Sequence, residues 1–370
     1  MTIAPLGSSV SRLAALCLGL VVVTACGNDS TSKSDTDTAT DVEDAADDTS
    51  PADTEPTDTA VQLEVKWTNK TPPIDGKVLG GAIVPGKPGH YLLVGEAAGL
   101  VEVTPEGSTV RKPAGIGNAN LEAAWVDADG VGYAAGNQSS LIFGSGDDWQ
   151  LVGAIPPNPA AWFHAIDGDG KVIWAVGDDG AAWRRDADEV WMAQEVSVTE
   201  GKALPTGADF VGVDVADGGN IVWIAATLGN EGGALLEKTS TGWRRVDLTV
   251  SPRALWRASN GDVWVVGGTA EAYVVRWNGK DLEDITGLKW QLGFRSIAGV
   301  AGGPIWAGAL KGQLRAFDGK EWQVVDVAPP VGTPKPFPAP SGDILAILPH
   351  GADEFLVATP FTVYRYGAQP

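Results

Sequence analysis

The stretch "NGDVWVVGG", residues 260–268, is answered within a few residues by "RWNG", residues 276–279. Asn-Gly dipeptides flank a run of valine and tryptophan closed by glycine, the signature of short buried strands joined by tight hairpins. Variants of this signal recur down the chain: Leu92 in "YLLVG", Tyr133 in "GYAAG", Trp174 in "IWAVG", Trp223 in "VWIAA", Trp264 in "VWVVG", Trp306 in "IWAGA" and Phe355 in "EFLVA". Their spacings are 41, 41, 49, 41, 42 and 49 residues. A period in the low forties that carries several strands per unit predicts propeller blades rather than a string of separate domains.

Residues 253–287 show the order within one unit. "RALWRAS" is a first strand, "NGD" a turn, "VWVVGG" a second strand, "AYVVRW" a third, "NGK" another turn and "DLEDIT" a fourth strand. Six units read this way, and the seventh supplies only "DILAILP", "EFLVAT" and "TVYRYG". The segment "AVQLEVKW", residues 60–67, alternates apolar and polar residues and is expected to provide the missing strand, because a closed ring leaves no edge unpaired. The fold predicted for residues 61–370 is therefore all-β: a single seven-bladed β-propeller with four antiparallel strands per blade. Aromatic side chains of the second strands should pack between neighbouring blades. The turns before the fourth strands, in "GDDWQLV" 146–152, "STGWRRV" 240–246 and "GKEWQVV" 319–325, resemble degenerate Asp-boxes or WD-type blade ends. The whole pattern over residues 61–370 resembles the Trp-rich repeat lipoproteins of the seven-bladed propeller class. It departs from them in that no turn carries the full Ser-x-Asp-x-Gly-x-Thr-Trp form and the WD dipeptide is absent.

The beginning of the chain carries an address. Arg12 precedes the apolar run Leu13 to Val23, whose 11 residues suit a secretory signal and are too few to span a bilayer. The run ends in Val23-Thr24-Ala25-Cys26, which resembles the lipobox of bacterial lipoproteins, whereas Cys17 follows the bulky Leu16. The resemblance implies removal of residues 1–25 and lipidation of Cys26, with the membrane as a partner through the anchor. Several buried acyl chains, at ~0.8 kcal/mol per methylene, hold where one would be marginal. Gly27 in place of an aspartate favours the outer membrane. Residues 27–60 hold 11 acidic residues against Lys33 and contain no aromatic, so residues 26–60 are expected to form a disordered tether. Such a coil reaches on the order of 30 Å.

The 370 residues carry a net charge of −21, which repels phosphate backbones and excludes nucleic acid as a natural partner. Three histidines, His90, His164 and His350, lack zinc-ligand spacing, and "DADG" 127–130 and "DGDG" 167–170 read as hairpin turns rather than calcium loops. No nucleophile elbow, Walker loop or paired-carboxylate motif is present. No metal or cofactor is expected, and the chain is expected to be a monomer.

Binding candidates lie where aromatics and cations fall outside the blade register. The long connections from one blade's fourth strand to the next blade's first carry Trp162, Trp290 and Phe337, with Arg253, Arg295 and Lys335 close by. Exposed aromatic and arginine anchors are enriched at interfaces. The same rings could instead plug the wide end of the channel. The function expected is a non-catalytic binding or scaffold module at the cell envelope, with a protein or a glycan as ligand. The alternatives are a polysaccharide-acting enzyme, glycosidase-like or lyase-like, and an outer-membrane assembly factor.

Overall fold

The computed structural model describes residues 69–70, 74, 76–152, 161–287, 292–325, 342–352 and 354–366, all within one compact unit, Pro56–Pro370. The leader, Cys26, the acidic tether and residues 60–67 lie outside the described residues. Seven sheets follow one another along the chain, each built on four strands in antiparallel order from the centre outward. The innermost strands are Val78–Ile83, Leu121–Val126, Phe163–Asp169, Asp209–Ala216, Pro252–Arg257, Phe294–Gly299 and Ala346–Pro349, belonging to blades 1 to 7. Among the described residues no helix is long and apolar enough to cross a membrane.

The second strand of each blade is the most deeply buried, because it faces a neighbour on both sides. Tyr91–Gly95, Gly132–Gly136, Val263–Gly267 and Ile305–Ala309 are buried at every position. This explains why the strongest repeat signal in the sequence is a continuous apolar run rather than an alternating one. Apolar clusters then form between successive blades and not within them: Trp174 of blade 3 meets Trp243 of blade 4 at 5.8 Å edge to face, and Trp306 of blade 6 meets Phe355 of blade 7 at 4.8 Å.

The glycine that closes four of the seven repeat signals has a specific reason. A Cβ on Gly136 would stand 1.8 Å from the carbonyl oxygen of Asn120, and one on Gly177 would stand 1.9 Å from that of Trp162. These second-strand ends sit directly against the backbone that enters the first strand. Gly136→Ala should therefore force a backbone shift and cost about 1–3 kcal/mol, read as a lower melting temperature. An unchanged melting temperature would show that the entry to blade 2 is slack.

The ring closes through an N-terminal strand, of which Asn69–Lys70 is the described part. Asn69–Lys70 pairs antiparallel with the third strand of blade 7, Asn69 opposite Tyr364 and Lys70 opposite Val363. Blades 7 and 1 are further joined by a cluster containing Tyr91, Val101, Leu348 and Leu356. Across the same seam the Val78 amide donates to the Pro360 carbonyl at 2.8 Å. Blade 4 departs from the four-strand pattern. Part of the long connection before it, Val198–Glu200, adds a fifth strand parallel to Gly242–Leu248, which accounts for the 49-residue spacing there.

Candidate functional site

Six of the seven innermost strands contain a β-bulge near their start, a feature with no direct sign in the residue pattern. The register slips between Val78 and Gly80, Leu121 and Ala123, Phe163 and Ala165, Phe210 and Gly212, Pro252 and Ala254, and Phe294 and Ser296. A bulge leaves one residue unpaired and re-aims its side chain. The skipped residues are Leu79, Glu122, His164, Val211, Arg253 and Arg295. Together with Leu345 at the corresponding place in blade 7, they line one cavity of about 670 Å³ at the mouth of the central channel. The mouth lies on the face where one blade leads into the next.

The ring is electrostatically divided. Glu122 and His164, from blades 2 and 3, form an acidic arc with Asp178, whose Oδ1 is 2.6 Å from His164 Nε2. Asp178 is held in place because it opens a short 3₁₀ turn after the second strand of blade 3 and its amide donates to the Trp162 carbonyl at 3.0 Å. Burial pushes the Glu122 carboxyl above its ordinary value, opposed by a hydrogen bond from the Trp162 side chain and by the charge of His164. Arg253 and Arg295, from blades 5 and 6, form a basic arc. Partial burial against the channel wall, and then the neighbouring Arg295 charge, lower the pKa of Arg253, although its outer surface stays exposed to solvent. Arg295 Nε lies 3.7 Å from Asp343 Oδ2. Val211 separates the arcs on one side, and Leu345 with Leu79 on the other.

Asp167 and Asp214, in the innermost strands of blades 3 and 4, each reach across to the next blade. Asp167 Oδ2 accepts from the Val215 amide at 2.7 Å, and Asp214 Oδ1 accepts from Arg257 Nε at 2.7 Å. Burial, and then the Asp214 charge, push the Asp167 pKa well up, and burial pushes Asp214 up against the opposing Arg257. A carboxyl whose folded pKa is raised binds its proton more tightly when folded. Its stabilising contribution is full below the ordinary carboxylate pKa and is lost as the pH rises through the raised value. Asp167→Asn should thus gain stability relative to the parent as the pH rises above the ordinary carboxylate range. Parallel melting curves across that rise would contradict the assignment.

Two of the candidate residues, Arg253 and Arg295, line the mouth, and a third, Trp162, lies next to one of its lining residues. Trp162 is 39% exposed, just ahead of the first strand of blade 3, with its ring 5.7 Å from that of His164. Arg253, expected at the start of a first strand, and Arg295, expected at the end of the connection 287–295, are both bulge residues of innermost strands. Trp290, Phe337, Lys335 and Cys26 lie outside the described residues. The reading from sequence missed Glu122, His164 and Asp178 as a group, because only the register slip shows that residues 43 and 42 apart in neighbouring repeats share one ring with Leu79. It also missed Phe361, 59% exposed in the turn between the second and third strands of blade 7, on the same face as the mouth. His350 uses a ring nitrogen on the His90 carbonyl at 2.9 Å, so this pair joins blades 7 and 1. Asp127 Oδ1 accepts from the amides of Asp129 and Val131 at 3.0 and 2.8 Å and so closes its own turn. Among the described residues no three His, Cys, Asp or Glu side chains gather as metal ligands.

No protein-family profile matches the chain. Over 207 residues, 54% of its length, it is 28% identical to a Pseudomonas aeruginosa protein named immune protein Tsi7, and it spans 62% of that relative. Among solved structures it resembles YCF48 bound to D1 peptide, with a TM-score of 0.60 and 16% identity over 83% of this chain and 99% of the other. It also resembles a catalytically inactive virginiamycin B lyase from Staphylococcus aureus with quinupristin, with a TM-score of 0.63 and 12% identity over 82% of this chain and 100% of the other. Likeness at such identities shows the propeller fold alone.

Proposed function

We propose that the chain is a lipid-anchored binding module of the cell envelope, and that its propeller holds a partner protein at the mouth of the central channel. The observation that carries this reading is the ring of bulge residues, which gathers two arginines and a half-buried carboxylate around one cavity, with the exposed Trp162 ring beside His164 of that ring. Aromatic and arginine anchors surrounded by polar groups are the composition of interface hot spots. Partial likeness to a protein named as an immune protein is in keeping with a binding rather than a metabolic role. YCF48, a structural neighbour, is bound to a peptide in its solved structure, which supports a propeller as a holder of a polypeptide segment.

An enzymatic reading receives less support from the same geometry. A glycosidase needs two free carboxyl groups flanking the bond to be cut. Here Asp178 is engaged by His164, Asp343 lies beside Arg295 and Asp209 Oδ1 accepts from the Asp179 amide, which leaves Glu122 without an unengaged carboxylate partner among the described mouth residues. Trp162→Ala should weaken partner binding by on the order of thirtyfold, about 2 kcal/mol, with little change in melting temperature. A lower melting temperature with unchanged binding would instead make Trp162 a plug of the channel.

The anchor has its own test. Cys26→Ser should appear in the soluble or unprocessed fraction of cells. Fractionation with membranes, as for the parent, would contradict lipidation at Cys26.

A further inference from the structure

The basic arc has no counter-charge of its own that satisfies it. Among the described residues Arg253 makes no ion pair or hydrogen bond, and the contact of Arg295 with Asp343 is long at 3.7 Å. Neither arginine pairs with Glu122 or Asp178 across the mouth. Two guanidinium groups on adjacent blades therefore remain directed into a partly desolvated cavity of a chain whose net charge is −21. Like charges brought together in such a place raise the energy of the empty site, and an arriving anion relieves it.

Resting on the reading of the mouth as the docking face, we propose that Arg253 and Arg295 form a carboxylate subsite for an acidic side chain of the partner protein. The guanidinium fork matches the two oxygens of a carboxylate. Carboxylate is favoured over phosphate because Asp343 and Asp209 line the same cavity, and a second negative charge on the ligand would meet their repulsion. Apolar neighbours, Val211 beside Arg253 and Leu345 beside Arg295, give the flanking residues of an acidic segment a surface to cover. Glu122 on the far side repels a carboxylate, so the acidic residue is steered to one side of the mouth. The subsite thus fixes the orientation of the bound segment as well as its charge.

The test uses the full chain in detergent and two capped probe peptides, Gly-Leu-Gly-Glu-Gly-Leu-Gly and its Gln counterpart, with binding followed by calorimetry. The Glu peptide should bind at least tenfold more tightly than the Gln peptide. Arg253→Gln, which replaces an exposed side chain with no partner among the described residues, should remove most of that preference without lowering the melting temperature. Arg253→Gln with Arg295→Gln should remove all of it. Equal binding of the two peptides by the parent, or a preference that persists in the double variant, would overturn the subsite. So would displacement of the Glu peptide by an equal concentration of inorganic phosphate, which would assign the pair to a phosphate. If the Glu preference is absent while Trp162→Ala still weakens the partner protein, the subsite fails and the docking face stands.

Discussion

Removing residues 26–70 should lower the melting temperature by roughly 10 °C relative to removing residues 26–58, given ~2–4 °C per kcal/mol for a domain of this size and about 3–5 kcal/mol for the lost edge. The shorter deletion takes only the acidic segment read as a tether. The longer one takes Asn69–Lys70, and with it the pairing to Val363–Tyr366. The outer edge of blade 7 would then present unpaired backbone groups. The remaining seam still holds the His350 contact to the His90 carbonyl and the apolar cluster of Tyr91 and Leu356. The ring should consequently weaken at one place rather than fall apart. Equal melting temperatures for the two truncations and the parent would contradict closure by the N-terminal strand.

Trp306→Ala should destabilise the domain by about 3–5 kcal/mol, as large-to-small changes of buried aromatic residues do. Trp306 is 1% exposed and lies 4.8 Å from Phe355 of the next blade, in the cluster that joins blades 6 and 7. Each interface between blades carries part of a closed ring, so loss of one indole should reduce the stability of all seven blades together. Thermal unfolding of the variant should show one cooperative transition at a lower temperature. A loss below about 1 kcal/mol would mean that the second-strand tryptophans are not what joins the blades.

The repeat count was legible because each second strand is buried on both faces, so the same apolar run had to recur wherever a blade formed. Trp174, Trp223, Trp264 and Trp306 mark those positions, and all four are buried. The need for a closing strand was legible from the missing fourth strand of the last repeat. Alternation of apolar and polar residues pointed to 60–67, which lie outside the described residues, and the described pairing is that of Asn69–Lys70, which carry no such pattern. The site was only partly legible. Trp162 was singled out because an aromatic outside the blade register needs a separate explanation. Arg253 and Arg295 were singled out only as cations close to the long connections, and their place in the bulges was not legible, since a β-bulge is a slip of pairing that has no residue signature here. His164 was weighed only as a zinc ligand, and its contact with Asp178 depends on a turn that follows the second strand rather than on spacing.

The central claim is that the partner docks at the channel mouth, and its most direct test compares two faces of the same molecule. The parent, Trp162→Ala with Arg253→Gln, and Met192→Ala would each be immobilised and exposed to envelope extract, and the dissociation constant of the retained protein measured for all three. Met192 is 42% exposed on the outermost strand of blade 3, away from the channel. The mouth variant should lose at least about thirtyfold in affinity. Met192→Ala should bind as the parent does. Undiminished binding by the mouth variant, or an equal loss in Met192→Ala, would contradict docking at the mouth.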